Sequence, residues 1–149
     1  MRTALVIALA SVAVPAVLVA QDEKSKDGLK NLNGTWVAQS REYEGKVESR
    51  DDLKGLTLEI SGDSFAFTSE GGQAGLKGTL AVNSSATPKS VDVIVAGKDG
   101  KETVIRAIYE LIGDTLRTAV MQSGDDRPKD FTAKAGSNVR VTVYIRSKK

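Results

Sequence analysis

The sequence contains no histidine and no cysteine, and this double absence removes most of the familiar chemistry of enzymes and metal sites. Histidine is the commonest general base and metal ligand near neutral pH, and cysteine supplies the usual zinc thiolates and thiol nucleophiles. Disulfides and a lipid-modified cysteine are excluded for the same reason. The folded chain must therefore be held together by burial of an apolar core.

Other catalytic patterns are equally scarce in this chain. It has no Gly-x-Ser-x-Gly elbow for a serine hydrolase and no glycine-rich phosphate loop ahead of a helix. Two carboxylate groupings remain, Asp125-Asp126 beside Arg127 and Glu42 with Glu44. Neighbouring charges in loops and at strand ends are usually solvated. We therefore expect no enzymatic activity, no catalytic residue, no metal site and no cofactor.

The charge balance argues against a polyanionic partner. The formal net charge is only +2, from 21 basic and 19 acidic residues. A protein that binds nucleic acid or an anionic membrane surface by electrostatics normally carries a clear basic excess. We expect no nucleic-acid partner.

The first twenty residues have the pattern of a secretory signal peptide. A short basic start is followed by an apolar run from Ala4 to Ala20, and the sequence turns abruptly polar at Gln21. This run is short for a membrane-spanning helix, and Pro15 weakens it further. We predict a signal peptide over 1–20, a secreted or periplasmic product, and no membrane span after cleavage.

The remainder of the chain is predicted to be a polar tether followed by an all-β domain. Residues 21–31 are polar without apolar periodicity, and 32–149 show the period-two alternation of half-buried strands. One such row is Val139, Val141, Val143 and Ile145. Eight strands are predicted, with Val47 to Leu53 as a helical turn and 122–138 as irregular structure. The strand predictions are 35–43, 56–61, 64–69, 75–82, 90–95, 103–111, 115–121 and 139–146.

Short turns between these strands favour a hairpin meander whose single apolar face must be hidden. Closure into an eight-stranded antiparallel up-and-down barrel buries that face and removes the exposed edges. A two-sheet β-sandwich would satisfy the same alternation and is the alternative.

The sequence also resembles a known group of proteins. Gly34-Thr35-Trp36 at the first strand and Arg146 at the end of the last are similar to the lipocalin pattern. A closer resemblance, over nearly the whole mature chain, is to the lipocalin-like domain of unknown function found in many copies in planctomycete bacteria. Its marks are Leu32-Asn33-Gly34-Thr35-Trp36, Leu53-Lys54-Gly55-Leu56, Pro88-Lys89-Ser90-Val91-Asp92, Ile108-Tyr109-Glu110-Leu111, Gly113-Asp114-Thr115-Leu116, and Arg127-Pro128 with Phe131.

The resemblance implies that the barrel is closed at one end by Gly34, Trp36 and Arg146, with the arginine lying across the indole ring. From the sequence itself we expect Phe131 to pack over a barrel mouth and Arg127 to pair with a carboxylate. Many members carry a cysteine where this chain has Ala119, so no thiol role is implied. The function of the family is unassigned, and the resemblance therefore informs the fold more than the activity.

An eight-stranded barrel either just fills its interior or leaves room for one small ligand. With Trp36 pointing inward, Ala38 and Ser40 are expected to follow it, and small residues there would leave a void. We predict that a small hydrophobic ligand would contact four residues: Phe65, Phe67, Ala107 and Tyr109. The alternative is a filled core that serves as a protein-interaction or structural module for an unidentified protein partner. A monomer is expected in either case.

Overall fold

The structure is a computed structural model that describes residues 25–148, and these residues form an all-β fold of nine antiparallel strands. The predicted signal peptide over 1–20 lies outside the described residues. The strands are β1 (Gly34–Tyr43), β2 (Lys46–Glu48), β3 (Thr57–Ser61), β4 (Ser64–Thr68), β5 (Ala74–Asn83), β6 (Lys89–Ala96), β7 (Glu102–Ile112), β8 (Thr115–Met121) and β9 (Val139–Arg146).

The sheet closes on itself. From β3 to β9 each strand pairs with the next, β3 also pairs with β1, and β9 returns to β1 in a register from Trp36↔Arg146 to Tyr43↔Arg140. This is the closed eight-stranded up-and-down barrel predicted from the sequence, and that fold class is confirmed over the sandwich alternative. Strand β2 is a short addition that pairs only with the end of β1.

The helical turn predicted from Val47 to Leu53 is correct only in its second half. Val47 and Glu48 belong to β2, whereas the Leu53 N–H donates to the carbonyls of Ser49 and Arg50 at 3.1 and 3.2 Å, which closes one turn. Glu44 and Gly45 both have positive φ, at 53° and 71°, and they form a tight hairpin that turns the chain back along β1. Val47 is therefore the register partner of Glu42 in β2. The irregular stretch over 122–138 is confirmed, since it contains no helix or strand.

A bulge in β1 changes which side chains face the barrel interior. The pairing between β1 and β9 shifts between Ala38 and Ser40. Trp36 and Ala38 lie in the core, but beyond the bulge Ser40 pairs with Val143 on the outer face. The prediction that Ser40 points inward is therefore wrong, because one extra residue reverses the alternation. Arg41 takes the inward position instead.

The inner and outer faces of β9 are the reverse of the expected ones. Arg140 and Tyr144 line the interior, whereas the valine row points outward. Val139 and Val141 are nevertheless buried, because the 122–138 segment covers this part of the outer surface. They belong to a second core, the outer-face cluster, which consists of Ile108, Ala119, Ala133, Val139 and Val141. Further along the row Val143 is half-buried and Ile145 is exposed. The alternation identified the apolar row correctly but could not show that both faces are covered at the start of this strand.

The segment expected to be a loose tether is helical over 25–32. Its apolar side chains pack on one end of the barrel: Leu32 is buried in the main core, and Leu29 contacts that core. The polar residues of the segment occupy the exposed side of the helix. With only two apolar contacts in a short helix, the sequence shows too little periodicity to reveal it.

Candidate functional site

One end of the barrel, here called the closed end, is sealed by Trp36 and Arg146. The indole of Trp36 is fully buried, and the Arg146 guanidinium carbon lies 4.2 Å from the ring centroid. The indole Nε1 donates to the Leu32 carbonyl at 2.8 Å. Arg146 donates to the carbonyls of Asn31 and Asn33 at the end of the helix, so one cation fixes the helix and covers the ring.

Gly34 makes this stacking possible. Its φ is +132°, a conformation that side chains rarely adopt, and an added Cβ would lie 3.0 Å from Nη1 of Arg146. A larger residue here would both strain the backbone and press on the guanidinium. The structure thus brings together Gly34, Trp36 and Arg146, three of the four residues expected to close the barrel.

The fourth of these residues, Phe131, lies elsewhere. It packs against the outer-face cluster, and the Arg117 guanidinium lies 4.1 Å from the centre of its ring. Phe131 therefore covers the barrel wall and not a mouth, because the segment that carries it runs along the outside of β7 to β9. Arg127 does pair with a carboxylate, Asp92, at 2.6 Å, and it anchors the same segment.

The interior of the barrel contains a cavity of about 460 Å³. All four residues predicted to contact a ligand, Phe65, Phe67, Ala107 and Tyr109, line it. Most of the remaining wall is aliphatic, with side chains from β3 to β8 that include Leu58, Ile60, Leu80, Val91, Val93, Ile105, Leu116 and Val120. Both the size and the lining are those of a typical small-molecule pocket.

Small residues keep this volume open. Ala107 contributes only a methyl group to the wall. A Cβ on Gly78 would lie 2.0 Å from the Ile94 carbonyl oxygen and 3.2 Å from the Phe65 ring. Glycine is thus required where β5 approaches β6, and the ring of Phe65 lies over it. Bulkier side chains at these two positions would fill the interior or displace a strand.

The cavity opens at the opposite end of the barrel, the open end. Pairing between β5 and β6 stops at Thr79↔Ile94, so that residues 74–77 of β5 have no β6 partner and are exposed. Leu76 lines the cavity yet remains 51% exposed, which places it at the rim.

One wall of the cavity is polar. Thr118 of β8 and Tyr144 and Arg140 of β9 line it. Burial raises the pKa of Tyr144 to about 12, an effect that the neighbouring Arg140, Thr142 and Thr118 partly oppose. Burial also raises the pKa of Tyr109. The Arg140 guanidinium is half-buried, and desolvation followed by the positive charge of Arg41 lowers its pKa.

Arg140 and Tyr144 were not predicted as cavity residues, although the sequence carries a signal for them. If Arg146 stacks on the inward Trp36, period two places Tyr144, Thr142 and Arg140 on the same inner face. The hydrophobicity of the alternate valines pointed to the opposite assignment.

Arg41 organises the rim of the open end. It forms ion pairs at 2.6 Å with Glu48 of β2 and with Glu70 in the short 3-10 helix Glu70–Gly72. The hydrogen bond that Arg41 donates to Glu48 is the main reason that the pKa of Arg41 is raised. Arg41 therefore pairs with both carboxylates at the rim.

The chain matches no protein-family model, no curated protein and no solved structure. The barrel is consistent with a lipocalin-like fold, and the family assignment made from the sequence stays a prediction. In residues 25–148 no helix is long and apolar enough to cross a membrane. Within the same range, no three or more acidic side chains gather as metal ligands would.

Proposed function

We propose that this protein is a non-enzymatic, exported lipocalin-like domain that binds a small apolar or amphipathic ligand inside its barrel. The observation that carries the proposal is the cavity of about 460 Å³, lined mainly by apolar side chains and open at one end. Pockets that bind small molecules occupy roughly 300–1,000 Å³ and have such linings.

The two ends of the barrel support the same conclusion. The closed end is sealed by the Arg146–Trp36 stack and the helix over 25–32, and the open end carries an exposed rim with Leu76. A ligand that enters at this rim reaches a mainly apolar interior. Transfer of hydrocarbon from water into such a space is favourable at about 25 cal/mol per Å² of apolar surface.

Calorimetric titration with decanol tests the proposal, because this neutral amphiphile needs only apolar contact. We expect saturable binding to the protein. The variant Ala107→Phe should weaken binding by more than about tenfold, since the added ring occupies the cavity at the point where Ala107 lines it.

The matched control is Ala66→Phe, the same substitution on β4 between two cavity residues. Ala66 is exposed and alternates with Phe65 and Phe67, so its side chain points away from the interior. We expect this variant to bind decanol like the original protein. Absence of decanol binding up to its solubility limit, or equal loss in both variants, would rule out the proposed cavity function.

The alternative function, a protein-interaction module with a filled core, has less support because the interior of the barrel contains a cavity.

Export remains part of the proposal and is motivated by the pattern of residues 1–20. Protein recovered from the periplasm or medium of an expressing bacterium should begin at Gln21. A product that retains Met1 would contradict export.

A further inference from the structure

The cavity is two-sided, and its polar side contains a charge. From β3 to β7 the inward side chains are almost all aliphatic or aromatic, whereas β8 and β9 contribute Thr118, Arg140 and Tyr144. A ligand that only needed apolar contact would not require this polar wall. The arrangement instead matches a molecule with an apolar body and a polar group at one side or end.

Arg140 has no counter-ion in contact. Within residues 25–148 its guanidinium makes no ion pair and no hydrogen bond, yet it is half-buried and lines the cavity. Arginine keeps its charge in proteins. A half-buried charge without a partner is costly, and such a group is stabilised when an anion reaches it.

The nearby carboxylates do not fill this role. Glu48 and Glu70 influence Arg140 through space, but both contact Arg41 at 2.6 Å. Both carboxylates are thus held by Arg41, which follows the bulge in β1. Asp125, on the rim of the cavity, forms no ion pair with Arg140. The five donors of the Arg140 guanidinium therefore remain available to a ligand.

We infer that Arg140 binds the carboxylate of an amphipathic anion whose hydrocarbon chain occupies the apolar part of the cavity. Arg140 lies at the start of β9, near the open end, and Phe65, Leu80 and Tyr109 lie deeper toward the closed end. The headgroup therefore stays near the rim, with the chain pointing inward. This inference rests on the proposed function, because it specifies the ligand class of the same cavity.

Three ligands with one hydrocarbon chain test the inference: decanoate, decanol and decylamine, each titrated below its micelle concentration at neutral pH. Decanoate should bind about tenfold to a hundredfold more tightly than decanol, the range expected for a charge-assisted hydrogen bond. Decylamine should bind more weakly than decanol, because like charges repel.

The variant Arg140→Met keeps an unbranched apolar stem at this position and removes the charged guanidinium. It should reduce decanoate affinity to about that of decanol and leave decanol affinity within about twofold. The matched control is Arg106→Met on the outer face of β7, where the arginine is exposed and contacts only the Asp125 carbonyl. This control should bind decanoate as the original protein does. Arg140→Lys, which retains the charge, should retain part of the preference.

The outcomes separate this inference from the proposed function. If none of the three ligands binds, both the cavity function and the inference are contradicted. If decanol binds but decanoate binds no more tightly, the inference alone is contradicted. The same holds if Arg140→Met still prefers decanoate over decanol. Melting curves of each variant establish that it is folded before titration, and Arg140→Lys decides the question if Arg140→Met fails to fold.

Discussion

Two arginines at opposite ends of β9, Arg146 and Arg140, point to the same face of the same strand and have opposite surroundings. Arg146 covers Trp36, donates to two helix carbonyls and forms an ion pair with Asp114 at 3.2 Å. Arg140 contacts no acceptor within residues 25–148. The cation of the closed end stabilises the fold, whereas the cation of the open end is the one that we propose binds a ligand.

This difference extends to the residues around each arginine. At the closed end the main core is continuous with the helix over 25–32, and Trp36, Leu32 and Leu116 are almost completely buried. At the open end the rim is exposed and the strands separate. Stability is therefore expected to concentrate at the closed end, because local opening costs least where few apolar side chains are buried.

The largest expected effect comes from removing the closed end's central side chain. Trp36→Ala should cost about 3–5 kcal/mol, because a fully buried indole leaves a cavity and the Leu32 carbonyl loses its donor. Urea unfolding followed by far-ultraviolet circular dichroism measures it, since Trp36 is the sole tryptophan and its fluorescence disappears with it. A cost below about 1 kcal/mol would contradict the closed-end packing.

A second prediction concerns Tyr144, which lies between the two arginines. Its pKa is about 12 in the folded protein and near 10 when unfolded, so from pH 10 upward only the unfolded state ionises. Stability from this group is complete below pH 10 and is lost as the pH rises to about 12, at about 1.4 kcal/mol per pH unit.

Tyr144→Phe should remove this part of the alkaline loss, up to about 3 kcal/mol at pH 12. Urea unfolding at a series of pH values measures the difference, with Tyr43→Phe at the half-exposed end of β1 as the matched control. If both variants change the alkaline profile equally, Tyr144 does not ionise as its burial requires.

The third prediction compares the two arginines directly. Arg146→Met should destabilise the protein by about 2 kcal/mol, because the cation–π contact and the hydrogen bonds to the helix carbonyls are lost. Arg140→Met should change stability by less than about 1 kcal/mol or increase it, since a half-buried charge without a partner is removed. Chemical unfolding without ligand measures both effects. Equal destabilisation by the two variants would show that the two arginines contribute equally to stability.

The barrel was predictable because each strand carries strong period-two alternation and each hairpin has recognisable turn residues, as at Gly62-Asp63 and Gly113-Asp114. The closure residues Gly34, Trp36 and Arg146 were expected from the resemblance, and Phe65, Phe67, Ala107 and Tyr109 were expected on the cavity wall. The cavity-wall positions depend on local alternation, which a sequence displays, whereas the contact between Trp36 and Arg146 joins distant strands and was available only from the resemblance.

The errors arose where one face is covered by something distant in the chain. The outward Val139 and Val141 are dry only because residues 122–138 fold back over them, and Arg41 turns inward only because of the bulge beside Ala38. Neither long-range coverage nor a single inserted residue alters the local alternation. Arg140 was not predicted to line the cavity because the valines of β9 were assigned to the inner face of the barrel. That assignment places Arg140, which alternates with them, on the outer face.

The pairing of β1 with β9 also determines when the native state can form. Trp36 meets Arg146 only when β1 and β9 are both present, so the barrel seam cannot be completed while β9 is absent. Proteins dominated by contacts between distant parts of the chain fold slowly, commonly in milliseconds to seconds. A barrel of this topology therefore stays unclosed until its first and ninth strands meet, which makes the seam a late step of folding.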